Sequence, residues 1–299
     1  MTMTAPAAAA GAWRLGDLTV NRLGFGAMRL PQRGRPLAAD AQPADRSRSI
    51  AVLRRAVELG VNHIDTADFY FSRLHSANEL IRAALAPYPD DLIIVTKVGP
   101  RRDPSGEWMP AARPDELRGQ VDLNLRQLGR DHLDVVNLRR MPSMGVSVAE
   151  HFGALADLRD AGLIRHLGVS GVTPEDLAAA QAIAPVVCVQ NAYGLDRSGD
   201  PLLRLCGENG IAFVPFFAIA GAGRHDGPAE EPAVLTAIAA AHHTAVAQIR
   251  LAWTLHQGPH VLAIPGTGNV EHLEQNVAAA ALRLSTEDLS SLADIATAR

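Results

Sequence analysis

A chain of 299 residues with 47% hydrophobic and 20% charged content has the make-up of an ordinary soluble globular protein. It is long enough for two average domains or for one large α/β barrel. A formal net charge of -4 and a pI near 6.3 argue against a nucleic-acid or anionic-membrane partner, because phosphate binding needs clustered Lys and Arg.

The opening MTMTAPAAAAGA has neither a basic start nor a Leu-rich apolar stretch, so residues 1–12 are expected to be a disordered tail rather than a signal peptide. A single domain is expected over 13–299. WRLGDLTV (13–20) reads as a hairpin turning at Gly16-Asp17, a plug for the bottom of a barrel. RLGFGAM (22–28) reads as the first strand, and the polar, Pro/Gly-rich 31–46 as a long loop after it. SIAVLRRAVELG (49–60) has Ile50, Leu53 and Val57 on one helical face. Strands then recur at 61–67, 92–98, 133–138, 164–170, 185–191, 211–217 and 260–266. Helical periods fill the gaps, as at 115–129 and 148–162; Thr173 is a helix N-cap, and Gly60, Gly129 and Gly162 sit where helices should stop.

That is eight strands in strict β-then-α order. Their continuous apolar runs mean burial on both faces, hence a parallel, helix-covered sheet. Eight such units close into a (β/α)8 TIM barrel. The longest uncharged apolar run after the tail, 214–223, is far short of the roughly 20 residues that span a bilayer. Cys188 and Cys206 lack CxxC spacing, which suits a reducing, cytoplasmic setting.

In such a barrel, polar residues at the C-terminal ends of strands form the active site. Asp65 ends the second strand and Tyr70 follows in its loop; Lys97 ends the third, and Arg139 the fourth, where LDVVNL runs into Arg139-Arg140. Lys97 follows a purely apolar run, where an unpaired charge is costly. These groups suit proton donation to a carbonyl oxygen. A Tyr near its reference pKa of about 10 is a weak acid at neutrality. Lys97 is expected to lower that pKa, with Asp65 holding the ammonium. Arg140 reads as a rim charge, and His63 as a satisfied structural histidine. His242-His243, at the junction of two Ala-rich helices, has no ligand spacing, and no metal site is expected.

NHIDTADFY, the VTKVG lysine and IPGTGNVEHLEQN (264–276) together resemble the aldo-keto reductases, NADPH-dependent (β/α)8 barrels, over roughly residues 14–296. The resemblance carries the family's catalytic Asp, Tyr and Lys onto Asp65, Tyr70 and Lys97. The family's histidine falls at Arg139. LGFGAM, LDVVNLR, VVCVQN, VPFF and IPGT with His272 resemble the pyridoxal-reducing branch, where NLR also stands in that place. The implied activity is reduction of an aldehyde or ketone to an alcohol, with pyridoxal to pyridoxine as the specific expectation and Arg139 as an electrophilic donor. Rival expectations are reduction of other small or secondary-metabolite carbonyls, or a non-catalytic NADP-binding sensor or subunit. A monomer or weak oligomer is expected.

GFGAMR (24–29) and GAGRHDG (221–227) fail as Rossmann fingerprints, so cofactor residues rest on the resemblance. It implies Ser170 and Gln190 at a nicotinamide carboxamide, Phe216 stacked on its ring, and Met28 beside them. Gly221 and Arg224 would close over the pyrophosphate. Thr267 and His272 would meet the 2′-phosphate, helped by N–H groups of the helix starting near Val270 and by the closeness Gly268 permits; Gln275 and Asn276 would meet adenine. Four cofactor positions depart from the family pattern: Gly171 replaces Asn, Phe216 replaces Tyr, Gly266 replaces Lys, and His272 replaces Arg. The last two remove fixed charges that favour NADPH, so NADPH is the expected cofactor with NADH not excluded.

Overall fold

The computed structural model describes residues 6–141, 145–219 and 231–297. Seven strands form one parallel sheet in the order Phe25–Gly26, His63–Asp65, Ile93–Val98, Leu133–Arg139, Ile164–Ser170, Val186–Gln190 and Ala212–Phe213. The expected eighth run supplies single bridges, Val261 to Phe213 on one side and Ala263 to Leu23 on the other. These two bridges close the sheet into the barrel. The seam strands are shorter than expected, because Pro215 and Pro265 have no N–H to give to a ladder.

The hairpin forms as Ala12–Leu15 paired with Leu18–Asn21. Its Leu15, Leu18 and Val20 pack with Val95, Val135, Cys188, Val214 and Leu262 inside the barrel and fill its floor. A second, larger cluster lies between strands and helices, so a strand such as Ile93–Val98 is buried along its whole length. That two-sided burial is why the strands read as unbroken apolar runs.

Local signals set the helix ends. Asp45 accepts from the N–H of Arg48 and starts Arg46–Glu58 three residues earlier than expected. Ser147 and Glu150 form a capping box for Val148–Asp160, and Thr173 with Asp176 forms another for Pro174–Gln181. Gly60, Gly129 and Gly162 all follow helices with positive φ.

One expectation fails over residues 6–12. Pro6–Ala10 forms a short 3-10 helix with Ala7 fully buried, and Ala7 donates its N–H to the Leu59 carbonyl at 3.0 Å. Small side chains let this segment lie flat against the end of the first helix, so it is ordered where composition alone suggested a tail. Residues 1–5 lie outside the described residues. Among the described residues no helix is long and apolar enough to cross a membrane.

Candidate active site

Parallel register brings the strand ends to one rim. Gly26 faces Asp65, Asp65 faces Val95, Lys97 faces Asn137, Arg139 faces Ser170, and Ser170 faces Gln190. Residues distant in sequence thus line one cavity of about 460 Å³, walled by Asp65, Tyr70, Lys97, Arg139, Ser170, Gln190 and Phe216.

Lys97 is buried and pairs with one oxygen of the buried Asp65; it also donates to the Thr66 carbonyl at 3.0 Å. The other Asp65 oxygen accepts from Gln190 Nε2 at 2.6 Å. A buried ion pair holds only if its remaining hydrogen-bonding capacity is met, and these contacts meet it. Burial pulls the Lys97 ammonium down, but the Asp65 carboxylate and the Tyr70 phenol outweigh it, so its pKa is raised and Lys97 stays charged.

The Tyr70 ring lies 5.0 Å from Lys97 Nζ, edge-on to Phe69. Its loop is fixed by Tyr70 N–H to the Ala67 carbonyl and Ala77 N–H to the Tyr70 carbonyl, at 3.1 and 2.8 Å. The expected fall in the Tyr70 pKa is reversed here. Burial raises it, and the opposing pull of Lys97 and Arg139 does not compensate. Burial is the largest effect, and the Asp65 carboxylate beside Lys97 adds to it by offsetting part of the ammonium's pull. Tyr70 is therefore a protonated phenol at neutral pH, which is the form a proton donor needs.

Arg139 donates from Nη1 to Ser170 Oγ at 3.2 Å, and its guanidinium carbon lies 4.9 Å from the Phe216 ring centre. Burial lowers its pKa, but a guanidinium starts so high that it stays charged. Arg140 points away and pairs with Asp176 at 3.2 Å, as a rim residue should. His63 is fully buried, and neither ring nitrogen has a partner among the described residues; burial lowers its pKa to about 4. It is a neutral core residue, and the expected satisfaction is missing.

The residues expected at the cofactor separate into three groups. Met28, Ser170, Gln190, Phe216 and Gly266 line the cavity. Thr267, Gly268, His272, Gln275 and Asn276 lie beyond it, on the turn and helix that follow. Gly221 and Arg224 lie outside the described residues. One detail departs from expectation. Asn269 caps the helix Val270–Ala278 and already takes the N–H groups of Glu271 and His272 on its side chain, at 2.7 and 3.4 Å. Those N–H groups are not open to a phosphate in this arrangement.

Gly266 has a steric reason. A Cβ there would run into the carbonyl oxygen of Gly26, whose own N–H donates to the Pro265 carbonyl at 3.2 Å. The first strand and the last run touch backbone to backbone, which leaves no room for a lysine side chain without opening the seam.

Several cavity residues had no role assigned from the sequence, namely Phe69, Trp108, Met141 and Phe217. Trp108 sits in a small hairpin of Arg101–Arg102 with Trp108–Met109 that no periodicity announced. Arg102 ties it to the Tyr70 loop by donating to the carbonyls of Phe69 and Phe71 at 3.1 and 3.0 Å. Asp68, also in that loop, is buried and accepts from Gln120, while its Oδ1 has no partner among the described residues. Burial raises its pKa to about 7. No group of three metal-ligating side chains occurs among the described residues.

The aldo/keto reductase family model matches residues 22–297 of this chain. The chain belongs to the aldo/keto reductase family. Within the family it is 46% identical over 284 residues to pyridoxine 4-dehydrogenase of Escherichia coli, covering 93% of this chain and 96% of that one. A thermostable aldo-keto reductase crystallised with the inhibitor epalrestat is 30% identical, with a TM-score of 0.78 and coverage of 95% of this chain and 99% of that one. An aldo/keto reductase of Klebsiella pneumoniae crystallised with NADP and acetate is 28% identical, with a TM-score of 0.74 and coverage of 92% and 90%.

Proposed function

We propose that the protein is an NADP(H)-dependent carbonyl reductase whose substrate pair is pyridoxal and pyridoxine. The observation that carries the chemistry is the meeting of Asp65, Lys97, Tyr70 and Arg139 at one rim of one cavity. The likeness to pyridoxine 4-dehydrogenase over most of both chains supports the substrate.

The cavity fits a nicotinamide. Gln190 Oε1 is buried without a partner among the described residues, and Ser170 and Phe216 stand beside it. An orphaned carbonyl oxygen is what the N–H of a carboxamide would satisfy. Phe216 offers a π-face, as a stacking residue should. When bound, NADPH supplies the hydride to the carbonyl carbon and leaves as NADP+.

The chain's own residues handle the oxygen. As the carbonyl π electrons move onto oxygen, Tyr70 donates its phenolic proton there, and the O–H bond pair stays on Tyr70 as phenolate. Lys97 stabilises that phenolate, and Asp65 with Gln190 keeps the ammonium in place. Solvent returns the proton. Arg139 adds a fixed positive charge beside the developing oxyanion, aimed before the reaction begins. Phe69, Trp108 and Phe217 remain as aromatic walls once Phe216 is engaged, which suits a planar ring better than a short aliphatic aldehyde.

NADPH oxidation by the purified protein tests this, with pyridoxal beside a panel of short aldehydes and an NADH control. Pyridoxal should be turned over far more efficiently than the panel. Equal or better turnover of the short aldehydes would remove pyridoxal as the substrate while leaving the reductase reading intact.

A further inference from the structure

Three buried or half-buried arginines elsewhere in this fold meet carboxylates or several carbonyls. Arg250 pairs with Asp196 and Glu231 at 2.6 and 2.8 Å, and Arg130 pairs with Asp134 at 3.4 Å. Arg22, without a carboxylate, donates to the carbonyls of Ala10, Val261, Leu255 and Gly258. Arg139 differs. Its sole hydrogen-bond partner among the described residues is one hydroxyl, Ser170 Oγ, and its side chain lines the cavity. The neighbouring Lys97 charge is already taken by Asp65. A half-buried cation whose remaining donors face the cavity is best satisfied by a ligand that brings negative charge.

Position limits what that ligand is. Arg139 stands over Phe216 and beside Ser170, in the same cavity as Tyr70 and near enough for their charges to interact. A cofactor 2′-phosphate would lie towards Thr267 and His272, outside this cavity wall, and the resemblance sets the pyrophosphate at Gly221 and Arg224, outside the described residues. An anion on the substrate, close to its reacting carbonyl, is the partner this position suits.

We propose that Arg139 selects aromatic aldehydes that carry an ionised hydroxyl on the ring carbon next to the one bearing the aldehyde. Arg139 takes the ring oxyanion while Tyr70 takes the carbonyl oxygen. In such an aldehyde the two oxygens lie on one edge of the ring, so donors converging on one cavity from two strand ends, with one strand between them, can meet both. A hydroxyl across the ring points elsewhere, and a methoxy group brings no charge. This rests on the carbonyl-reductase reading of the same site; pyridoxal is one member of the class.

Gly171 supports the assignment. A Cβ there would lie 2.6 Å from Arg139 Nη1, so the residue after Ser170 leaves room for the guanidinium at this spot. The clash falls on the far end of a flexible side chain, so Gly171→Asn should push the guanidinium aside without removing its charge.

The test compares kcat/KM, with NADPH, for 3-hydroxypyridine-4-carboxaldehyde, its 3-methoxy analogue and unsubstituted pyridine-4-carboxaldehyde. The parent should favour the hydroxy compound at least about tenfold, the scale of one charge-assisted hydrogen bond. In Arg139→Met that preference should shrink to within about threefold, and Gly171→Asn should reduce it as well. The parent's preference should also rise with pH as the substrate hydroxyl ionises. Equal kcat/KM for the three aldehydes in the parent overturns the proposal and leaves the reductase standing. A preference unchanged in both variants overturns it too, and would mean that Arg139 acts only on the carbonyl. If the parent oxidises NADPH with none of the three, nor with pyridoxal, the reductase reading fails and this inference with it.

Discussion

Gly171 and Arg139 occupy each other's space: a Cβ on Gly171 would sit 2.6 Å from Arg139 Nη1 and 3.3 Å from the Arg140 carbonyl oxygen. Gly171 also has φ of +70°, a left-handed conformation that costs most side chains strain. The two departures that the resemblance implies, arginine for histidine and glycine for asparagine, are therefore expected to act as one structural change. Asn tolerates the backbone but not the guanidinium beside it. Gly171→Asn should therefore be harmful in the parent and better tolerated in an Arg139→His background. A double-mutant cycle in kcat/KM and in urea unfolding should show coupling of roughly 0.5–3 kcal/mol. Additive effects would mean the two positions are independent.

Tyr70→Phe removes the proton donor and keeps the ring that packs on Phe69. Cofactor binding, followed by fluorescence titration, should be nearly unchanged. Turnover should fall by about 10²–10⁴-fold, the usual contribution of a positioned general acid. Turnover near the parent's would remove Tyr70 from that role.

Lys97→Met leaves the Asp65 carboxylate buried with Gln190 as its remaining partner. The loss in stability should be about 3–5 kcal/mol in denaturant unfolding. Adding Asp65→Asn removes the stranded charge and should recover much of it. Turnover should stay low in both variants, which separates the structural role of the pair from its chemical one.

Asp68 and His63 act on stability in opposite senses as pH changes. The Asp68 pKa is raised by burial from 3.8 to about 7, so the fold holds that proton more tightly than the unfolded chain. Its contribution is complete below about pH 4 and is lost as pH rises to about 7, up to roughly 4 kcal/mol. The His63 pKa is lowered by burial from 6.5 to about 4, so its contribution is present above pH 6.5 and is lost as pH falls towards 4. The parent's stability should accordingly vary little between pH 4 and 6.5. Asp68→Asn can keep the link to Gln120 without the charge. It should gain stability over the parent as pH rises from 4 to 7, with the gain level above that. Melting temperatures of both proteins across pH 4–8 check this; a constant offset would mean Asp68 does not titrate in that window.

The chain alone determined the barrel and the rank of its polar residues. Strands buried on both faces must be continuously apolar, so eight of them were visible, and a charge ending such a run, as Lys97 and Arg139 do, marks the rim. Caps such as Thr173 and stops such as Gly129 were legible because they act within four residues. What depends on neighbours distant in sequence was not legible. The ordering of Pro6–Ala10 needed the end of the first helix, and the pairing of 260–266 by single bridges on both sides needed the closed seam, although Pro265 was visible in the chain. The direction of the Tyr70 pKa depended on burial and on Asp65 having already claimed Lys97. The reasons for Gly171 and Gly266 appeared only once the Arg139 guanidinium and the Gly26 carbonyl were in place. Local backbone preference is encoded residue by residue. Burial, charge compensation and steric room belong to the assembled fold, where strand register sets which residues meet.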